Sequence, residues 1–230
     1  MKTIGLIGGM SWESTAVYYR LLNEIVRARL GGLHSAQLLL WSFDFHEVEA
    51  CQAAGRWDQA TALMVAAARR LETGGAEILL IGTNTMHKMA EDVQAAVSIP
   101  LLHIADATAE PIKRRGLAKV GLLATAYTME QDFYRGRLEA RHGLEVLVPD
   151  AAGRKVVHDI IYDELCRGVI RPESKTRYQE VVAELLAEGA QGVILGCTEV
   201  GMLIQDDDVP APVFDTTRLH AEAAVDMALA

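Results

Sequence analysis

Cysteine is scarce: Cys51, Cys166 and Cys197 are the only three in 230 residues. The number is odd and the spacing unpaired, so no disulfide framework is expected, and the thiols read as reduced in a cytoplasm. Long apolar runs are also missing, and nothing approaches the roughly 18 residues a membrane-crossing helix needs. Met1-Lys-Thr-Ile-Gly enters a strand pattern at once, and no cleavable leader is expected there. Basic charge is short, with 22 Lys and Arg against 31 Asp and Glu and a net charge of −9. Without a Lys/Arg cluster a nucleic-acid surface is excluded as the main function. An anionic substrate would need local donors rather than long-range steering.

Metal and nucleotide signatures are missing too. The seven histidines are scattered, with no His-Glu-x-x-His and no Cys-x-x-Cys, so no metal is expected. Asp206-Asp207-Asp208 lacks the remaining ligands of a calcium loop and reads as a solvated turn. Gly5-x-x-Gly8-Gly9 followed by Met10-Ser11 fits neither the dinucleotide fingerprint nor a P-loop, and no Gly-Lys-Ser/Thr follows.

What the chain does contain is a copy of itself. Gly75 to Met86 reads GAEILLIGTNTM and Gly189 to Val200 reads GAQGVILGCTEV, which sets Thr83 opposite Cys197. In each copy a Gly-Ala pair precedes an apolar run that ends in glycine and a small polar cluster, where a strand would hand over to a helix. Thr3-Ile-Gly-Leu-Ile is echoed by Lys119-Val-Gly-Leu-Leu, and Pro100-Leu-Leu-His by Pro212-Val-Phe-Asp, at nearly the same offset. Two equivalent sites facing one another suit chemistry that needs a proton-transfer group on each face of one small substrate.

With 50% hydrophobic and 23% charged residues, the composition is that of a globular protein, and a chain of this length buries about 70% of its unfolded surface. Apolar runs of strand length fall near residues 3–7, 37–42, 77–82 and 100–104, then near 119–123, 144–148, 191–196 and 212–215. Helical spacing lies between them: Val17 to Val26 stopping at Gly31-Gly32, Leu63 to Leu71 at Gly74-Gly75, Val181 to Leu186 at Gly189. Strand-helix alternation implies right-handed crossovers and an α/β fold of two pseudo-symmetric domains, each a four-stranded parallel sheet flanked by helices. Ligands bind outside the carboxyl ends of such strands, where Thr83 and Cys197 both lie, so the site is expected in a cleft between the domains. The expected first domain is 1–98 plus 213–230, made discontinuous by a last helix over 216–229 that packs back on it. The expected second domain is 99–212.

Three stretches carry a family resemblance: Ile4-Gly-Leu-Ile-Gly-Gly-Met-Ser-Trp-Glu-Ser-Thr15, the loop Thr83-Asn-Thr-Met-His87 and the loop Gly196-Cys-Thr-Glu199. Over its whole length the chain resembles the aspartate/glutamate racemase family, and within it the bacterial broad-specificity amino-acid racemases of the aspartate branch. That family works without pyridoxal phosphate, has two pseudo-symmetric α/β halves with the site in the cleft, and is usually homodimeric. The resemblance implies no cofactor, a small acidic amino acid as substrate, no nucleic-acid or membrane partner, and a homodimer. Met10 and Gln52 are implied to line the substrate pocket; related aspartate racemases often place arginine near position 52.

The family's first loop usually carries Cys-Asn-Thr. Here Thr83 replaces that cysteine before Asn84-Thr85, and an aliphatic hydroxyl is a far weaker acid than a thiol of pKa about 8.5. Racemisation lifts the α-proton from one face and returns a proton on the other. Cys197, at a strand end before a helix, is the expected base, with nearby backbone N–H groups favouring its thiolate. In the family this loop's thiol faces the α-hydrogen of the L-enantiomer. Thr83 is expected to transfer protons directly, to hold a water that does, or only to cap a helix. Asn84, Thr85 and Thr198 are expected to hold the α-carboxylate. Glu199 either contacts substrate or loop, or merely complements a helix dipole. Cys51 and Cys166 read as packing residues, and His87 as a structural histidine. Hydantoin racemisation, arylmalonate decarboxylation and simple amino-acid binding remain the alternative readings.

Overall fold

A computed structural model describes all of residues 1–230. The chain packs as two units, Met1–His103 with His220–Ala230, and Ile104–Leu219.

The first unit runs β1 (Ile4–Gly8), α1 (Trp12–Leu30), β2 (Leu38–Ser42), α2 (Phe45–Ala53), α3 (Trp57–Thr73), β3 (Ile78–Ile81), a 3₁₀ turn over Thr85–Met89 and α4 (Ala90–Ala95). Its strands are parallel, in the order β2-β1-β3. Successive side chains of a strand point to opposite faces, and the two faces are buried against different helices. Ile7, Leu79 and Ile81 meet Val48 and Cys51 of α2, Met64, Ala67 and Leu71 of α3, and Val93 of α4. Ile4, Leu6, Ile78 and Leu80 meet Tyr18, Leu22 and Val26 of α1 and Ala221, Ala224, Val225 and Ala228 of the last helix. The near-continuous apolar strands are thus those of a sheet covered on both sides.

The second unit runs α5 (Ile104–Arg114), β4 (Lys119–Ala124), α6 (Ala126–Glu130), α7 (Asp132–His142), β5 (Glu145–Leu147), α8 (Ala151–Asp163), a 3₁₀ turn over Leu165–Arg167, α9 (Pro172–Ala187), β6 (Val193–Gly196), α10 (Val200–Leu203), a 3₁₀ turn over Asp206–Asp208 and β7 (Val213–Asp215). Its parallel sheet has the order β5-β4-β6-β7. Helix α11 (Thr216–Leu229) starts here and ends in the first unit. The acidic run at 206–208 is a turn tied down by Lys175, whose Nζ lies 2.7 Å from Asp208.

Two sequence expectations need correction. The first sheet has three strands, not four: residues near 100–104 make one parallel bridge, Leu79 to Leu101. Leu79 N–H donates to Pro100 O and Leu102 N–H to Leu79 O, and α5 begins at Ile104, before a ladder can extend. The unit boundaries also differ from those expected at 98/99 and 212/213. The bridge ties residues 100–102 to the first sheet, while β7 pairs with β6 and holds 213–215 in the second.

The sequence repeat is a backbone repeat. Gly75 and Gly189 follow α3 and α9, each with φ +99°, a left-handed conformation in which a side chain would be strained. Ala76 N–H then donates to Leu71 O as Ala190 N–H does to Leu185 O, both at 3.0 Å. Gly9 has φ +82°, and a Cβ there would run into the backbone of Phe43.

Candidate active site

Each duplicated loop leaves the carboxyl end of a strand flanked on one side by the unit's first strand: β3 beside β1, β6 beside β4. The glycine before each key residue is fixed by packing. A Cβ on Gly82 would lie 3.1 Å from Ile7 O, and one on Gly196 would lie 2.8 Å from Leu122 Cδ1 and 2.9 Å from Ala124 Cβ. The residue that follows, Thr83 or Cys197, is part-buried.

In the second unit Cys197, Thr198 and Glu199 form one hydrogen-bonded group. The Cys197 thiol donates to Oε2 of Glu199 at 3.0 Å, and the Thr198 hydroxyl donates to the same oxygen at 2.6 Å. The other oxygen, Oε1, accepts from the Cys166 thiol at 3.6 Å. Thr198 and Glu199 are buried. Burial pushes the Cys197 thiol well above its usual pKa, and the charge of Glu199, then Cys166 and the bond to Glu199, push the same way. The Glu199 backbone N–H pulls it down, which is the effect the sequence suggested, but it is outweighed. Cys197 therefore rests as a protonated thiol on a carboxylate. Tyr178 lies close by: burial first, then its neighbours Cys197, Glu199, Cys166 and Glu164, raise its phenol, which donates to Val157 O at 3.2 Å.

In the first unit Asn84 and Thr85 are buried and lead into the 3₁₀ turn. Asn84, rather than Thr83, holds the N-cap position, with no side-chain cap bond. The Thr83 carbonyl accepts from His87 Nδ1 at 2.8 Å. Gln52, buried near the end of α2, donates to Met86 Sδ at 3.1 Å. Met10 and Met86 share one apolar cluster. The structure therefore gathers Met10, Gln52 and the Thr83–Thr85 loop in one unit, and Cys197, Thr198 and Glu199 in the other.

Two features escaped the sequence reading. Cys166 was expected only to pack, and it reaches Glu199; nothing in its local pattern announces this. His87 lies 4.5 Å, ring to ring, from His103 and 5.8 Å from His220. His220 is fully buried, with Nε2–H donating to Leu102 O at 2.9 Å and Nδ1 accepting from the Tyr18 hydroxyl at 2.8 Å. Burial holds its pKa down to about 4. Its two bonds need the neutral tautomer protonated on Nε2.

A family model described as Asp/Glu/hydantoin racemase matches residues 7–224, and the chain belongs to that family. Among solved structures, a proposed Asp/Glu racemase from Yersinia pestis is 56% identical over 100% of both chains, with a TM-score of 0.93. An aspartate racemase homologue from Pyrococcus horikoshii is 37% identical, again over 100% of both chains, with a TM-score of 0.87. The broad specificity amino-acid racemase RacX of Bacillus subtilis is 24% identical over 75% of this chain and 74% of its own length.

Proposed function

We propose that this chain is a cofactor-independent racemase of aspartate, glutamate or both, and that Cys197 and Glu199 together remove the α-proton of the L-enantiomer. The observation that carries the reading is the Cys197 thiol donating to a buried carboxylate at 3.0 Å. A thiol held above its ordinary pKa is a poor resting nucleophile but a strong base once its proton has moved. In the proposed step that proton passes to Oε2 of Glu199. The resulting thiolate takes the α-hydrogen, and the C–H electron pair spreads into the α-carboxylate as an enediolate. Loop N–H groups, with Asn84, Thr85 and Thr198, hold that carboxylate as charge grows on it. Because the Thr198 hydroxyl donates to Glu199, its backbone N–H is the donor assigned to substrate. Thr83, or a water it holds, returns a proton to the opposite face and is refilled from solvent, while Glu199 gives the proton it took from Cys197 up to solvent, which restores the resting pair. Met10 and Gln52 shape the substrate side of the first loop. The enzyme works as a homodimer in the cytoplasm.

The test is proton NMR in D₂O on dialysed, EDTA-treated protein with each enantiomer of Asp and Glu. Enantiomers have equal free energy, so complete racemisation must have the same kcat/KM in both directions, but isotope exchange need not. Deuterium is expected to enter an L-substrate faster than the D-isomer appears, and exchange into D-substrates to be slower. Equal exchange from both enantiomers would show that Thr83 is as competent as a thiol. Activity lost on dialysis and recovered with pyridoxal phosphate or a divalent metal would overturn the cofactor-free mechanism. Thr83 also leaves open a chemistry that needs a single protonation, as in malonate decarboxylation, and CO₂ release from arylmalonates without α-proton exchange from amino acids would select it.

A further inference from the structure

Five of the eight exposed large hydrophobic residues lie between positions 12 and 40: Trp12 is 68% exposed, Tyr19 57%, Leu30 45%, Leu33 102% and Leu40 45%. All five belong to the first unit. Trp12, Tyr19 and Leu30 fall on one side of α1 by helical spacing. Leu40 of β2 adjoins that side at Thr15, one turn before Tyr19, since a Cβ on Gly8 would meet the side chains of both Thr15 and Leu40. Past the end of α1 the chain returns alongside the helix and is pinned there, where Ala36 N–H donates to Asn23 Oδ1 at 3.0 Å. Between this loop and α1 runs a groove of about 520 Å³ whose lining includes Tyr19, Asn23, Arg27 and Leu33.

The patch has the features of a face that meets its own copy. In a two-fold interface one surface must fit itself, and here the fully exposed Leu33 stands at the rim of a groove with several times the volume of a leucine side chain. β2 is the outer strand of its sheet, in unbroken register with β1. Its Leu38-Leu39-Leu40-Trp41 carries none of the charges, prolines or bulges that guard an uncovered edge. Charge does not oppose self-association there, although the whole chain carries −9. Arg20 and Glu24 pair at 3.4 Å, and Arg27 adds a cation to the same groove. The area is sufficient as well. Trp12 and Tyr19 leave roughly 250 Å² of side chain uncovered and the three leucines roughly 200 Å² more. A half-interface of about 800 Å², a little over half of it apolar, needs about 450 Å².

We infer that a second copy of this chain seats on the outer side of α1 and the edge of β2, in a two-fold arrangement that puts Leu33 of each copy into the groove of the other. The inference rests on the homodimer proposed above, and not on the proton chemistry, and names the surface that forms it.

Sedimentation velocity on Tyr19→Glu, Leu33→Glu and Ile170→Glu tests it, with circular dichroism confirming each fold. All three side chains are exposed, so none holds a core together. The wild type should sediment at twice the chain mass of 25.1 kDa. Tyr19→Glu and Leu33→Glu should each raise the dimer dissociation constant at least about 30-fold, the effect of losing a central anchor. Ile170→Glu, in the second unit, should leave it within about threefold. By hydrogen exchange and mass spectrometry, the amides of residues 38–42 should exchange faster in Leu33→Glu than in the wild type at equal concentration. That difference should vanish on dilution below the wild-type dissociation constant, which a purely local effect of the substitution would not do. A dimeric wild type with Tyr19→Glu and Leu33→Glu equally dimeric overturns the choice of face and leaves the homodimer standing. A wild type that stays monomeric at every concentration, alone or with another protein seated on residues 12–40, overturns both. Exchange of the α-proton decides the racemase reading separately, whatever the mass.

Discussion

Replacing Glu199 by Gln separates the acidity of Cys197 from its usefulness as a base. The substitution keeps the shape of the side chain and an oxygen for the Thr198 hydroxyl, and removes the charge 3.0 Å from the Cys197 sulfur. Two unit charges at that distance interact by about 5 kcal/mol at an effective dielectric near 20. Even a quarter of that energy is about a tenfold change in thiolate population. Alkylation of Cys197 at neutral pH should therefore accelerate by about tenfold or more in Glu199→Gln. Exchange from the L-substrate should move the other way, because an amide cannot take the thiol proton; removing such a group lowers kcat by about 10² to 10³. Cys197→Ser gives the floor for the exchange assay, since its hydroxyl is too weak an acid to serve. The two readouts, alkylation by mass spectrometry and deuterium incorporation by NMR, use the same preparation. Exchange that rises together with alkylation would show that thiolate population alone limits the reaction, and Glu199 would then be an inhibitor of its neighbour rather than its partner.

Two further predictions concern stability. The unfolded His220 imidazole binds a proton below about pH 6.5, whereas the buried folded one does so only below about 4. The unfolded state thus holds more protons across that window, and stability should fall as pH drops from 6.5 to 4 and level off below. The loss amounts to about 3 kcal/mol. Urea titrations of the wild type and His220→Gln should diverge by that amount across the window, and parallel pH profiles would refute the assignment. Gly9→Ala should be strongly destabilising, because it combines a φ of +82° with a clash against the Phe43 backbone. About 3 kcal/mol is expected, or about 6–12 °C in Tm for a chain of this size, and a Tm within error of the wild type would count against the geometry at that turn.

Seven of the eight expected strands are present because their signal was local: an apolar run bounded by glycine or an X-Pro step. The eighth failed for a reason no local pattern holds, since whether residues after Pro100 form a ladder or a single bridge depends on where α5 begins. The loops were legible because glycine marked them twice, at the φ +99° turns of Gly75 and Gly189 and at the close approaches of Gly82 and Gly196. The state of Cys197 was half legible. Backbone N–H groups do favour its thiolate, but the acid two residues on, visible in Cys-Thr-Glu, outweighs them once burial is added. Cys166 was illegible, because its meeting with Glu199 depends on a one-turn 3₁₀ helix closed by Gly168. The His87, His103 and His220 group was illegible for the same kind of reason: only α11 crossing into the first unit brings His220 there.

The duplication repeats the scaffold without repeating the proton inventory. In the register that sets Thr83 against Cys197, Asn84 stands against Thr198, Thr85 against Glu199 and His87 against Gly201. The first loop therefore differs at two chemically decisive places: a hydroxyl replaces the thiol, and a second hydroxyl replaces the carboxylate that would receive the thiol's proton. His87 does not fill the gap through Nδ1, which is spent on the Thr83 carbonyl at 2.8 Å. An aliphatic hydroxyl with no carboxylate in the equivalent position can pass on a proton that is offered to it, but it has no means of becoming an anion near neutral pH. In the proposed mechanism, abstraction therefore falls to the second loop and return of the proton to the first. The slower exchange expected from D-substrates thus follows from two positions, 83 and 85, so a cysteine placed at 83 alone would still lack the acceptor that Glu199 gives to Cys197.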